Sequence, residues 1–121
     1  MRYKGELPTE LISKAEFYSK FYELTLSELQ TECREKKFVI ARQNVMARLY
    51  LDFDTYYQKR TGYSVIAGLF NRDHSTCVYS CKQVQNLCDT DRVYRKEWDR
   101  FCVYASGYKE INRRDEFHVE S

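Results

Sequence analysis

The stretch Ser64-Val65-Ile66-Ala67-Gly68-Leu69-Phe70-Asn71-Arg72-Asp73-His74-Ser75-Thr76-Cys77-Val78-Tyr79-Ser80-Cys81-Lys82-Gln83-Val84-Gln85-Asn86-Leu87-Cys88 decides the fold class. Ser64 is a good N-cap residue ahead of the short apolar run Val65 to Phe70, which predicts a helix of about two turns. Asn71-Arg72-Asp73 then has the composition of a turn. Beyond it Cys77, Val78, Cys81, Val84 and Cys88 recur at helical spacing as a core-facing stripe, while Asp73, Thr76, Ser80 and Gln83 face out. Short helix, tight turn and longer helix over residues 64–88 together make a candidate helix-turn-helix.

Working outward, residues from Val39 to about Arg60 carry Arg42, Met46, Leu49, Phe53, Tyr56 and Tyr57 at helical spacing without Gly or Pro, until Thr61-Gly62 stops the helix. Further upstream, Leu11, Ile12, Ala15, Tyr18 and Tyr22 form the apolar face of a first helix after Pro8, with Glu10, Lys14, Lys20 and Glu23 opposite. Thr25 and Glu28 have capping-box spacing, so either a second helix runs from Leu26 through Leu29 and Cys33, or the first continues after a kink. Downstream, Asp89-Thr90-Asp91 restarts a helix carrying Tyr94, Trp98, Phe101, Cys102 and Ala105, ended by Gly107. No strand pattern and no repeat is visible. The expected fold is all-α, a bundle of about five to six helices in one domain over residues 1–107, with residues 1–33 as a helical extension and residues 108–121 as a polar, flexible tail.

The bulk properties narrow the classes further. A chain of 121 residues has room for one domain, and 43% hydrophobic with 16% aromatic content supports a real core. Four Gly and one Pro exclude a collagen-like chain, and eleven Tyr with seven Phe exclude wholesale disorder. The net charge of +2 is too small to announce a nucleic-acid binder, but its distribution is uneven. Residues 34–60 carry seven basic and three acidic groups, whereas residues 1–33 carry four and six. The basic middle suits phosphates, or is simply a solvated helix surface.

Five cysteines, an odd number at irregular spacing, make neither a disulfide framework nor a CxxC zinc pair, and Cys77, Cys81 and Cys88 read as small core residues. A reducing cytoplasm fits, and no run approaches the ~18 apolar residues of a membrane span, so the chain is expected to be neither secreted nor anchored. No metal or cofactor is predicted. Phosphate-loop, GxSxG and HExxH motifs are lacking, and the two histidines are His74 and His118. A Cys-His nucleophile at His74 would need cysteines that belong to the buried stripe. Asp52 and Asp54 flank Phe53, point to different sides of a helix and are expected to be solvated. The chain does not read as an enzyme.

The chemistry-bearing string is Arg72-Asp73-His74-Ser75-Thr76, at the start of the second helix of the candidate motif. In a helix-turn-helix these positions meet base edges in the major groove. Arg72 suits guanine or a phosphate, Asp73 a cytosine amino group, His74 either polarity, and Ser75 and Thr76 offer hydroxyls with a methyl for thymine. Alternatively Asp73 simply caps the helix, with Ser75 and Thr76 tolerated beside it.

Phe70-Asn71-Arg72-Asp73-His74-Ser75-Thr76-Cys77-Val78, followed by Cys81-Lys82, resembles the signature of the C-terminal DNA-binding domain of the bacterial replication initiator DnaA, approximately F-G-G-R-D-H-T-T-V with a later basic residue. Arg42-Gln43-Asn44-Val45-Met46-Ala47 is similar to the R-Q-x-A-M segment that heads an earlier helix of that domain. The resemblance covers roughly Arg34 to Leu87, with Asn71 in place of a glycine and about five extra residues, mostly within Asp52 to Lys59. It implies a Trp repressor-like helical domain that recognises duplex DNA of defined sequence. Arg72, Asp73, His74, Ser75 and Thr76 would be the recognition-helix contacts. Arg42 and Gln43 would hold phosphates, Arg34, Lys36 and Lys37 would supply a basic arm at the backbone or minor groove, and Lys82 would either reach a phosphate or stay solvated.

The expected function is therefore sequence-specific duplex binding by a stand-alone module without the initiator's ATPase. It would act in replication or transcription control in a bacterial cytoplasm or a phage-infected host, with a phage, plasmid or mobile element as a fitting source. The N-terminal helix could serve a homodimer or a protein partner. The alternative is a helical adaptor that keeps the fold without binding DNA, with Tyr18, Tyr22, Tyr94, Tyr104 and Tyr108 as partner anchors or as residues completing the core.

Overall fold

A computed structural model describes the backbone of residues 5–52 and 59–120 and the side chains of residues 5–52 and 62–108. Among the described residues there are six α-helices and no strand: α1 Thr9–Ser19, α2 Leu26–Leu29, α3 Lys36–Asp52, α4 Lys59–Leu69, α5 His74–Thr90 and α6 Arg92–Glu120, with a single 3-10 turn, Lys20–Tyr22, after α1. The all-α expectation holds. Phe53, Asp54, Tyr56 and Tyr57, and the side chains of the tail, that of His118 included, lie outside the described residues.

Helix α3 is the central element and packs against α1, α2, α4 and α5, while α5 also packs on α4 and α6. Ala41, Val45, Met46, Ala47 and Leu49 of α3 meet Val65, Ile66, Ala67, Leu69 and Phe70 at the end of α4, with Cys77 and Val84 of α5 in the same core. On the other flank, Phe17, Tyr18, Phe21 and Tyr22 pack against Phe101 and Tyr104 of α6. Phe17 stacks on Tyr104 at 4.5 Å, and Tyr18 meets Phe101 edge-on at 5.8 Å. Such pairs add about 0.5–1.5 kcal/mol each beyond their burial. The five tyrosines considered as partner anchors are buried or half-buried here. The Tyr104 hydroxyl donates to the Phe17 carbonyl at 2.7 Å, and the Tyr94 hydroxyl to Asn44 Oδ1. Leu11, Ala15 and Tyr18, the apolar face of α1, are likewise spent inside the fold.

The capping box of Thr25 and Glu28 forms as read, with the Thr25 hydroxyl accepting from the Glu28 amide and the Glu28 carboxylate from the Thr25 amide. Other local expectations fail, each for a tertiary reason. Helix α2 ends at Leu29 and does not reach Cys33, because the carbonyls after it bond to Arg42 instead of continuing a helix. Thr61-Gly62 does not stop a helix: both lie in the first turns of α4, where burial outweighs the ~1 kcal/mol propensity cost of glycine. Ser64 is consequently an interior residue and not an N-cap.

Gly107 does not end α6, which runs on to Glu120; a Cβ there would meet the Phe17 ring at an ordinary 3.9 Å. Ser80 faces inward, because the centre of the buried α5 face is Cys77–Ser80–Val84 and the half-buried Cys81 and Cys88 flank it. Asp52 is not solvated. It accepts from the Tyr18 hydroxyl at 2.5 Å and lies 3.4 Å from Arg48 Nη2.

Candidate nucleic-acid interface

The junction of α4 and α5 is built by residues that local rules make intelligible. Phe70 is fully buried and pins the end of α4 to the core. The Arg72 amide donates to the Ala67 carbonyl at 2.9 Å and the Asn71 amide to Gly68 at 3.1 Å, the paired bonds of a Schellman stop. That stop needs a left-handed residue, and Asn71 supplies it with φ of 60°. Asparagine tolerates this region better than any residue except glycine, which explains how it stands where the initiator signature has glycine.

Asp73 then turns extended, with φ −78° and ψ 156°, and α5 begins at His74. Asp73 is the N-cap residue of α5 and its carbonyl accepts from the Thr76 amide at 3.0 Å, but its side chain makes no capping bond, so of the capping alternative the position and the charge at the helix start hold and the side-chain bond does not. Instead its carboxylate lies 3.6 Å from His74 Nδ1, and both side chains are about half exposed, at 43% and 54%. Ser75 is exposed and Thr76 half-buried. Four side chains with donors, acceptors and one methyl therefore stand at the open end of a helix whose dipole is positive there.

Behind this end lies a polar clamp. The Arg42 side chain, expected on the outside at a phosphate, is only 7% exposed. Its Nε donates to the Leu29 carbonyl at 2.8 Å, and Nη2 donates to Thr31 at 3.0 Å and Cys33 at 3.2 Å. Arg72 reaches the same Thr31 carbonyl from the other side with Nη2 at 2.8 Å, and its Nη1 donates to the Phe70 carbonyl at 2.5 Å. Gln30 completes the clamp, its Nε2 donating to the Leu69 carbonyl at 2.8 Å. Burial, and then the neighbouring Arg72 charge, hold the Arg42 guanidinium below its ordinary pKa. Arg42 and Arg72 thus position the 30–33 loop and the 70–72 turn against each other. Together with Gln30, Glu32, Arg34 and Asn71 they line an open polar cleft of about 540 Å³.

The remaining predicted residues fall in three places. Arg34, Lys36 and Lys37 are exposed where the 32–35 segment enters α3, and Arg34 is brought to the cleft beside Arg72. Lys82 is exposed on the outer face of α5. Gln43 is turned toward α6, its Nε2 3.4 Å from the Tyr94 hydroxyl, and is not grouped with the α5 end. Sequence reasoning missed Gln30 and Thr31, since neither a side-chain amide bonding a distant carbonyl nor a carbonyl shared by two arginines leaves a periodic trace. It also missed Tyr79, 61% exposed on the outer face of α5, whose signal was available: Ser75, Tyr79, Lys82 and Asn86 recur at spacings of four, three and four.

No described helix is long and apolar enough to cross a membrane. No protein-family model and no solved structure matches the chain. Curated relatives do. The chain is 32% identical over 93 residues to the chromosomal replication initiator protein DnaA of Flavobacterium psychrophilum, covering 77% of this chain and 18% of that protein. It is 31% identical over 80 residues to the proteins of the same name from Bacteroides fragilis and Bacteroides thetaiotaomicron, covering 64% of this chain and 15% and 16% of theirs. The chain therefore spans less than a fifth of the length of these relatives, and the similarity fits a DnaA C-terminal-domain-like region.

Proposed function

Proceeding from that likeness to initiator proteins, we propose that the chain binds double-stranded DNA of defined sequence, with α4, the 70–73 turn and α5 acting as a helix-turn-helix. The first turn of α5 enters the major groove in this reading. The observation that carries it is the state of that turn: Asp73 and His74 are exposed to about half, no side chain spends itself on capping, and two arginines clamp the turn from behind. A base-reading end needs both properties, solvent-exposed polar groups and a fixed backbone, because a misplaced hydrogen-bond partner loses its discrimination.

Asp73 accepts from a cytosine amino group, His74 and Ser75 bond base edges, and Thr76 adds a hydroxyl and a methyl. Arg34, Lys36 and Lys37 meet the backbone or the minor groove, Lys82 a phosphate, and Arg42 acts as a positioning residue. With about four to six phosphates neutralised, log K falls with log salt at a slope of roughly −4 to −5. Of an initiator's activities the proposal takes site binding alone. The chain occupies its site in replication or transcription control, competes there with an initiator or recruits a partner, and a phage or other mobile element is a fitting source.

Selection of bound duplexes from a random pool at near-physiological salt tests the reading, with an Asp73→Ala, His74→Ala double variant beside the parent. Enrichment of one motif by the parent, lost in the variant at a cost of about 1–3 kcal/mol per base contact, supports it. No enrichment by a folded parent ends it and leaves the adaptor.

A further inference from the structure

Among the tyrosines whose side chains are described, Tyr79 is the exception. Tyr18 is buried and Tyr22, Tyr50, Tyr63, Tyr94, Tyr104 and Tyr108 are half-buried, whereas Tyr79 is exposed and takes no hydrogen bond or ring contact among the described residues. It lies four residues after Ser75 and three before Lys82, so the three share the outer line of α5. The step from Ser75 to Tyr79 is about 6 Å along the helix axis, less than two base pairs of B-DNA. With α5 lying along the groove, a helix that presents Ser75 to a base edge carries the Tyr79 ring to the neighbouring base pair, with the small Ser75 on one side and the stem of Lys82 on the other.

We infer that Tyr79 is a specificity-determining residue that packs its ring on the C5-methyl group of a thymine next to the bases read by the first turn of α5. The inference rests on the duplex-binding reading above and adds a position to it. The reasoning is one of partners. The base edges of the major groove offer hydrogen-bond donors and acceptors and one apolar group, the thymine methyl. A ring that enters the groove flat against donors and acceptors would strip them of water without replacing it; against a methyl it removes apolar surface from water on both sides. The rigid tyrosine ring gives up little side-chain freedom in doing so.

Replacing each thymine of the parent's selected duplex in turn by deoxyuracil, which lacks only the methyl, tests this against the parent, Tyr79→Phe and Tyr79→Ala. The expected result is one thymine whose replacement weakens the parent and Tyr79→Phe by about fourfold, the worth of one buried methyl group. Tyr79→Ala binds the unmodified duplex at least that much more weakly and is indifferent to deoxyuracil at the same position. Because Tyr79 is exposed, circular dichroism is expected to find both variants folded. Two results overturn the inference while leaving duplex recognition intact: equal binding by Tyr79→Ala and the parent, or a loss in Tyr79→Phe equal to that in Tyr79→Ala with no methyl dependence, which makes the hydroxyl a phosphate contact. A parent that selects no duplex overturns both.

Discussion

Where α1 and its 3-10 turn meet α6, the chain is joined by rings: Phe17, Phe21, Tyr22, Phe101 and Tyr104 pack at centroid distances of 4.5 to 5.5 Å. Where α2 meets the α4–α5 junction, it is joined by side chains that donate to backbone carbonyls, those of Leu29, Thr31, Cys33, Leu69 and Phe70. Ring packing is non-directional and tolerates small shifts. A guanidinium that must meet three carbonyls at once does not. The candidate reading end sits on the second kind of joint, so the most exacting geometry of the described residues lies where the proposed function needs it.

The contrast can be broken by removing a fully buried ring at the centre of the first joint. Phe101→Ala, from a fully buried position, is expected to cost about 3–5 kcal/mol in urea unfolding while leaving the affinity of the still-folded fraction for duplex DNA unchanged. Alkali is the next lever on the same side. Burial, ahead of the lowering bonds from Gln43 and Asn44, pushes the Tyr94 phenol up to about 12, and burial likewise raises Tyr18 and Tyr22 above the ordinary tyrosine value of 10.0. The folded state thus holds protons that the unfolded chain releases. This contribution is complete below pH 10 and is lost as the pH climbs toward 12. Urea midpoints from pH 8.5 to 11.5 are expected to fall, and to fall less steeply in Tyr94→Phe.

On the polar side the effects on stability are smaller and those on the reading end larger. Arg42→Ala strands carbonyls at the end of α2 and is expected to cost about 1–3 kcal/mol, with faster hydrogen exchange in the 70–72 turn and a larger loss of affinity for the cognate duplex than for a scrambled one. Equal exchange in variant and parent would mean that Arg42 does not hold the turn. Asn71→Ala places a Cβ-bearing residue without a local hydrogen-bonding side chain at φ 60° and is expected to cost about 1 kcal/mol, whereas Asn71→Gly matches or exceeds the parent in a thermal melt.

How much of this was legible follows the same division. The all-α class, the capping box at Thr25, the cysteine face of α5 and the inward tyrosines were readable because apolar periodicity and cap spacing are local. The ends of α2, α4 and α6 were not. Gly62, Gly107 and Cys33 are governed by what packs or bonds against them from elsewhere in the chain. Arg42 illustrates the cost: on a helical wheel it interrupts an apolar stripe, and the same position read by resemblance becomes an outward cation. Its actual use, on three carbonyls nine to thirteen residues upstream, depends on a loop whose path no propensity fixes. At the candidate site, residue types and the helix start were visible in the string from Arg72 to Thr76, and the clamp behind them was not.

The clamp joins segments that are far apart along the chain: Gln30 to Leu69 spans 39 positions and Arg72 to Thr31 spans 41. Helices α3 and α4 lie between the two, so both must be in place before the joint can close, and closing it pays loop entropy that neither segment recovers alone. Arg42 can meet the Leu29, Thr31 and Cys33 carbonyls from within α3, whereas the Gln30–Leu69 and Arg72–Thr31 bonds close only once the α4–α5 junction is present. A fragment that stops short of Arg72 contains most of α1 to α4 and none of the finished end, so a prematurely released product carries no competent copy of it.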